Sequence, residues 1–127
     1  MGFKTLIIGA STNPQRFSYL AIKSLVKHNV EVVAIGLKEG EVEGIKFHVG
    51  KPNLSDIHTI SLYINANHQK DYIDYFFSLN PKRIIINPGT ENGELIKRAR
   101  EKNVDLVFGC TLVMLSNGTY FETSKVK

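Results

Sequence analysis

The sequence predicts an α/β fold, a three-layer α/β/α arrangement with a parallel sheet of about five strands in the order 3-2-1-4-5. Three observations carry this. Apolar runs and helix-period patterns alternate from one end of the chain to the other, as strand-helix-strand units require. The run Thr5-Leu6-Ile7-Ile8 has no charged residue, which suits a central strand covered on both faces. Glycine and proline collect just after the apolar runs, where a chain leaving a strand must turn back over the sheet.

The first strand runs into the turn Gly9-Ala10-Ser11-Thr12-Asn13-Pro14. A helix follows in which Phe17, Ala21, Ile22, Leu25 and Val26 form one apolar stripe, with Lys23, Ser24 and Lys27 outside it. Val30-Glu31-Val32-Val33-Ala34-Ile35 is the second strand, closed by Gly36. Lys38 to Pro52 is polar and broken by glycines, with at most a short edge strand around Ile45-Lys46-Phe47. Thr59 to Ile64 is the next strand, and Asn67 is the expected N-cap of a helix burying Tyr72, Ile73, Phe76 and Phe77. Pro81 separates that helix from the strand Arg83-Ile84-Ile85-Ile86, which ends in a second turn, Asn87-Pro88-Gly89-Thr90. The helix after it buries Leu95, Ile96 and Ala99 and exposes Lys97, Arg98, Arg100 and Lys102. Leu106-Val107-Phe108 is the last clear strand, and Cys110 to Leu115 is a short apolar segment of unassigned type.

A chain of 127 residues is long enough to bury one core and too short for two, so residues 1–127 are expected to form a single domain. Apolar residues make up 43% and charged residues 22%, a globular rather than a disordered balance. No apolar stretch is long enough to span a bilayer, and Met1-Gly2-Phe3-Lys4 leads directly into the first strand. Neither a membrane anchor nor a signal peptide is expected. Cys110, the one cysteine, cannot form an internal disulfide, which fits a cytoplasmic setting. The net charge of +4 favours anionic partners, but the basic residues form no block of the kind that tracks a nucleic acid.

In an open parallel sheet, ligands sit outside the carboxyl ends of the strands. The first loop carries the strongest signal there. A buried strand, a glycine turn and a helix start together aim backbone N–H groups and the positive end of the helix dipole at one point, which suits a phosphate. The loop is not the usual G-x-G-x-x-G, since Ser11 and Pro14 stand where dinucleotide-binding loops carry glycine or another small residue. Arg16 lies beside the expected phosphate, and Ser11, Thr12 and Ser18 either donate to it or cap the helix.

The end of the second strand discriminates between nucleotides. An NAD site usually carries Asp or Glu there for the ribose hydroxyls, whereas this chain has Gly36-Leu37-Lys38. A lysine attracts a phosphorylated ribose, as found in coenzyme A and NADP. Neither the carboxylates Glu91 and Glu94 nor the histidines His28, His48, His58 and His68 make an acid–base pair or a metal-ligand spacing. Cys110 reads as an inert, mostly buried thiol.

Gly9-Ala10-Ser11-Thr12-Asn13-Pro14, with Arg16, Ser18-Tyr19, Pro88-Gly89-Thr90-Glu91-Asn92 and Gly109-Cys110-Thr111-Leu112, resembles the small stand-alone CoA-binding domain family. The family is similar in turn to the nucleotide-binding domain of the succinyl-CoA synthetase α subunit. The resemblance covers nearly the whole chain and implies a Rossmann-like sheet with coenzyme A lying across its carboxyl ends. It implies Gly9, Ala10, Ser11, Thr12, Asn13 and Arg16 at the pyrophosphate, with Ser18 close by, and Lys38 at the phosphorylated ribose. Ile64 and Asn65 would lie near the adenosine, and Pro88, Gly89, Thr90, Glu91 and Asn92 further along the crevice. Family members often place Asn-Pro before the lysine, where this chain has Gly36-Leu37. The synthetases also use a second domain with a phosphorylated histidine, for which 127 residues leave no room. The expectation is a cytoplasmic domain that binds coenzyme A or an acyl-CoA without evident catalysis. Two alternatives stand beside it: an NAD(P)-binding oxidoreductase or redox-sensing domain, with NADP as the alternative cofactor, and an interaction protein with a vestigial nucleotide site.

Overall fold

A computed structural model describes residues 2–122. Its elements, in chain order, are β1 (Thr5–Ala10), α1 (Phe17–Lys27), β2 (Val32–Gly36), β3 (Glu41–Val42), β4 (Ile45–His48), β5 (Thr59–Leu62), α2 (Ala66–Gln69), α3 (Ile73–Ser78), β6 (Arg83–Ile86), α4 (Gly93–Glu101), β7 (Asp105–Phe108) and α5 (Thr111–Asn117), followed by a 3₁₀ turn at Thr119–Phe121. The sheet order is β3-β4-β2-β1-β5-β6-β7. Every neighbouring pair is parallel except the β3–β4 hairpin, and β1 sets Thr5 opposite Val32 on one side and Thr59 on the other.

Residue alternation along the strands decides what each face buries. Leu6, Ile8, Ile60, Leu62, Ile84 and Ile86 pack against Ile73, Phe76 and Phe77 of α3 and Leu95 and Ala99 of α4. Ile7, Ala34 and Ile85 face the opposite way, onto Ala21, Ile22 and Leu25 of α1, Leu115 of α5 and Tyr120. The three-layer α/β/α arrangement is therefore as expected, with the first strand near its centre.

The strand order differs in detail from the expected 3-2-1-4-5. Seven strands are present among the described residues rather than about five. Beyond β2 lies a hairpin whose outer strand is two residues long and runs antiparallel, and β7 extends the far edge. A two-residue strand has no periodicity to read, and its hairpin turns on Glu43 at φ 52° and Gly44 at φ 81°.

Two local expectations are also corrected. Asn65, not Asn67, caps the helix after β5, because its Oδ1 accepts the His68 N–H at 3.1 Å. That helix is broken, with Tyr72 as the N-cap of its second part. The segment from Cys110 to Leu115 proves to be the start of α5, with Cys110 half-buried at its N-cap. No helix among the described residues is long and apolar enough to cross a membrane.

Candidate functional site

The loops that follow β1, β2, β5, β6 and β7 all emerge at the carboxyl end of the sheet, as a parallel arrangement requires. Gly9 shapes the first of them. The β1–β2 register slips between Ile8 and Ala10, and Gly9 at that slip has φ +97°, a conformation side-chain-bearing residues rarely hold. A Cβ there would stand 2.9 Å from Ile64 Cγ2 and 3.0 Å from the Tyr63 carbonyl oxygen. The bulge thus brings the first loop against the end of β5, so that Gly9 and Ile64 share one wall.

Beyond Gly9 the loop is held by its own polar atoms. Ser11 Oγ accepts the Asn13 N–H at 3.0 Å, Asn13 Oδ1 accepts the Gln15 N–H at 2.9 Å, and the Asn13 carbonyl accepts the Arg16 N–H at 3.0 Å. Ser11 and Asn13 therefore order the turn itself. Arg16 is the N-cap of α1 and its side chain is exposed, while no side chain caps the helix and no acid lies in its first turn. The positive end of an eleven-residue helix is thereby left facing the loop. Ser18, in the first turn of α1, is only 3% exposed.

Lys38 is exposed, follows the 87%-exposed Leu37, and makes no ion pair among the described residues. Asn65 and Glu91 are exposed, as are Pro88 and Gly89. Thr90 and Asn92 are engaged within the protein. The Thr90 hydroxyl donates to the Asn87 carbonyl at 2.8 Å, and Asn92 Oδ1 caps α4 by accepting the Glu94 N–H at 3.1 Å.

A buried polar frame that the sequence reading missed joins these loops. Asn87, 2% exposed, donates through Nδ2 to Ser61 Oγ at 2.9 Å and to the Leu62 carbonyl at 2.8 Å, and its Oδ1 accepts the Thr111 N–H at 2.9 Å. Ser61 and Thr111 complete a triangle with a hydroxyl–hydroxyl bond of 2.8 Å. Gln69, fully buried, donates to the Ile64 carbonyl at 2.9 Å and the Thr90 carbonyl at 2.8 Å, and accepts from Asn92 Nδ2 at 3.0 Å. The ends of β5 and β6 and the starts of α4 and α5 are thus tied together. The available signal was a polar residue set inside or directly after an apolar strand: Ser61 between Ile60 and Leu62, and Asn87 after three isoleucines.

Tyr63 borders this frame. Its hydroxyl is buried near the Ser61 and Thr111 hydroxyls and makes no hydrogen bond of normal geometry among the described residues. Burial pushes its pKa up to about 12 from the ordinary 10.0, making the phenol harder to ionise.

A cavity of about 1090 Å³ lies at the other pole, lined by Phe3, Lys4, Asn29, Leu54, His58 and Phe121 among others. Strand starts and the C-terminal end of α1 meet there, so the helix dipole presents its negative end. That pole is built around Arg83, buried under the ring of Tyr120 at 4.4 Å and bonded to Thr59 Oγ1 and the Tyr120 carbonyl. The geometry suits structural packing better than phosphate binding.

Known structures share this fold. The chain is similar to a solved protein titled as uncharacterized, at 44% identity and TM-score 0.90, covering 94% of this chain and 98% of that one. It is similar to a hypothetical protein from Pyrococcus horikoshii OT3 at 23% identity and TM-score 0.82, covering 91% of this chain and 83% of that one. It also matches part of the dinucleotide-forming acetyl-coenzyme A synthetase 1 of Ca. Korarchaeum cryptofilum, at 17% identity and TM-score 0.67. There it covers 84% of its own length and 25% of the enzyme. No functionally curated protein matches the chain. The family model described as "CoA binding domain" matches residues 4–116, and the chain belongs to that family.

Proposed function

We propose that residues 1–127 form one domain that binds coenzyme A across the carboxyl ends of the sheet strands. The observation that carries this reading is the first loop. Gly9 at φ +97° sits against Tyr63 and Ile64, and the loop then leads into a helix whose N-terminus has neither a side-chain cap nor an acid. Backbone N–H groups and a helix dipole converge there on a space suited to a pyrophosphate. Arg16 supplies a cation beside it, and Lys38, at the end of β2, reaches for the phosphate on the ribose. Ile64 and Asn65 border the adenosine, and the arm runs toward Pro88, Gly89, Thr90, Glu91 and Asn92. Thr90 and Asn92 act there by holding the loop, because their side chains are already bonded within the protein.

The cations favour coenzyme A and NADP over NAD, and family membership favours coenzyme A over NADP. A thermal-shift series with coenzyme A, acetyl-CoA, dephospho-CoA, NADP, NAD and ATP tests this, since a ligand bound only to the folded state raises the midpoint by mass action. Coenzyme A or acetyl-CoA is expected to give the largest rise. A rise with NADP or ATP and none with either CoA compound overturns the proposal.

A further inference from the structure

We propose that the ligand of this site is a coenzyme A thioester with an uncharged, apolar acyl group, received by the end of β7 and the first turn of α5. The proposal rests on the coenzyme A reading above and names the class of group attached to the sulfur.

Among the described residues, large apolar side chains are exposed at seven positions, and five of these stand at the carboxyl end of the sheet. Phe17 opens α1, Leu37 follows β2 and Val49 follows β4, all on the side of the nucleotide. Phe108, last in β7, and Val113, third in α5, lie on the other side, and each is 56% exposed. Their backbone is tied to the loop along which the arm runs. Phe108 is in register with Ile86, directly before Asn87 and Pro88, and Asn87 Oδ1 accepts the Thr111 N–H at 2.9 Å. The span fits as well. β7 is three strands from β1, about 14 Å at the usual spacing of about 4.8 Å. The pantetheine arm has about twelve bonds from phosphate oxygen to sulfur, the backbone length of four residues, and reaches about 13–14 Å when extended. With the pyrophosphate at the first loop, the sulfur therefore arrives at the end of β7. An arm that ends in an amide and a thiol leaves these two side chains in water, whereas an alkyl acyl group continues onto them. The charges point the same way. No lysine or arginine occurs from Ile84 to Ile96 or from Leu106 to Phe121, while Glu91 is exposed after β6 and Glu94 lies in the first turn of α4. An acyl group ending in a carboxylate would meet two acids there and no cation from these segments.

Calorimetric titration of the full chain with coenzyme A, acetyl-CoA, hexanoyl-CoA and succinyl-CoA tests this. A fully buried methylene strengthens binding about fourfold, and an open surface removes about half of its area from water. The four added methylenes of hexanoyl-CoA should therefore tighten binding about tenfold over acetyl-CoA. Succinyl-CoA should bind no tighter than acetyl-CoA. Phe108→Ser should bring the hexanoyl preference down to about threefold or less. Val113→Ser, on a separate element, should lower it in the same direction and stands in for the first variant should that one not fold. A wild-type protein that binds coenzyme A but gains nothing from the hexanoyl group, or that prefers succinyl-CoA, overturns the acyl assignment alone. So does a hexanoyl preference that survives both substitutions, including the case in which they abolish self-association seen by analytical ultracentrifugation and so assign the patch to a second copy. A wild-type protein that binds neither coenzyme A nor any thioester overturns the coenzyme A reading and the acyl assignment with it.

Discussion

Replacing Asn87 by alanine should destabilise the protein by about 3–4 kcal/mol, more than any substitution at an exposed position of the site. The side chain makes three hydrogen bonds, to Ser61 Oγ, the Leu62 carbonyl and the Thr111 N–H, all in a buried setting. Each contributes about 1 kcal/mol net, and an orphaned buried group costs about 1–3 kcal/mol. Ser61 Oγ keeps its bond to Thr111 Oγ1. The Thr111 N–H, at the first position of α5, loses the acceptor that Asn87 provides. For a domain of this size each kcal/mol corresponds to roughly 3–5 °C, so the midpoint should fall by about 9–20 °C in thermal unfolding followed by circular dichroism. Asn87→Asp separates packing from bonding. It keeps the shape and the acceptor for Thr111 but turns both donated bonds into contacts with a carboxylate. Burial and the facing carbonyl raise the pKa of that acid in the folded state. The variant should therefore be most stable at low pH and lose stability as pH rises from the unfolded value near 4 toward the folded one. A midpoint for Asn87→Ala within 3 °C of the parent would refute the idea that this frame holds the loops.

Gly9→Ala should cost about 2–4 kcal/mol, from an unfavourable torsion at φ +97° and a Cβ pressed onto the Tyr63 carbonyl, and should weaken ligand binding with it; denaturant unfolding and calorimetric titration check both. Tyr63→Phe removes a buried hydroxyl that has no partner, so its midpoint should be unchanged or higher by the equivalent of about 1 kcal/mol, and a clear loss would mean the hydroxyl is bonded. His58 has its pKa lowered from 6.5 by burial first and then by the charges of Arg83 and Lys82. Its neutral form is favoured in the fold, so this stability is complete above pH 6.5 and is lost as pH falls from there toward the folded value. Unfolding midpoints between pH 8 and pH 5 should show that decline, and His58→Asn should flatten it.

Much of the fold was legible because a strand covered on both faces must be continuously apolar and a helix on a sheet must carry one apolar stripe. Leu6 to Ile8, Ile84 to Ile86 and Ala21, Ile22 and Leu25 of the first helix's stripe follow that rule and are buried, whereas Val26 is half-buried and Phe17, at the helix start, is 67% exposed. The first loop was legible for a different reason: a tight turn after a strand needs glycine, and Gly9 is where the torsion demands it. What was hidden depends on contacts between distant residues. Asn87 follows a strand and looks like an ordinary turn residue until the fold sets it beside Ser61 and Thr111. Gln69 sits in a helix of four residues and shows its role only when Ile64, Thr90 and Asn92 surround it. The cap at Asn65 was misplaced to Asn67 because both are asparagines near the same strand end, and only the bond to the His68 N–H distinguishes them.

Backbone amide shifts measured by NMR during titration with coenzyme A test the central claim most directly, because the two poles of the sheet make opposite predictions. Binding across the carboxyl ends should shift the amides of Gly9 to Asn13, Arg16 to Ser18, Lys38, Ile64, Asn65 and Gly89 to Asn92. The amides lining the large cavity at the opposite pole, Lys4, Asn29 to Glu31 and Ser55 to His58, should stay in place. Saturable shifts confined to that cavity, with Gly9 to Asn13 unmoved, would contradict the account.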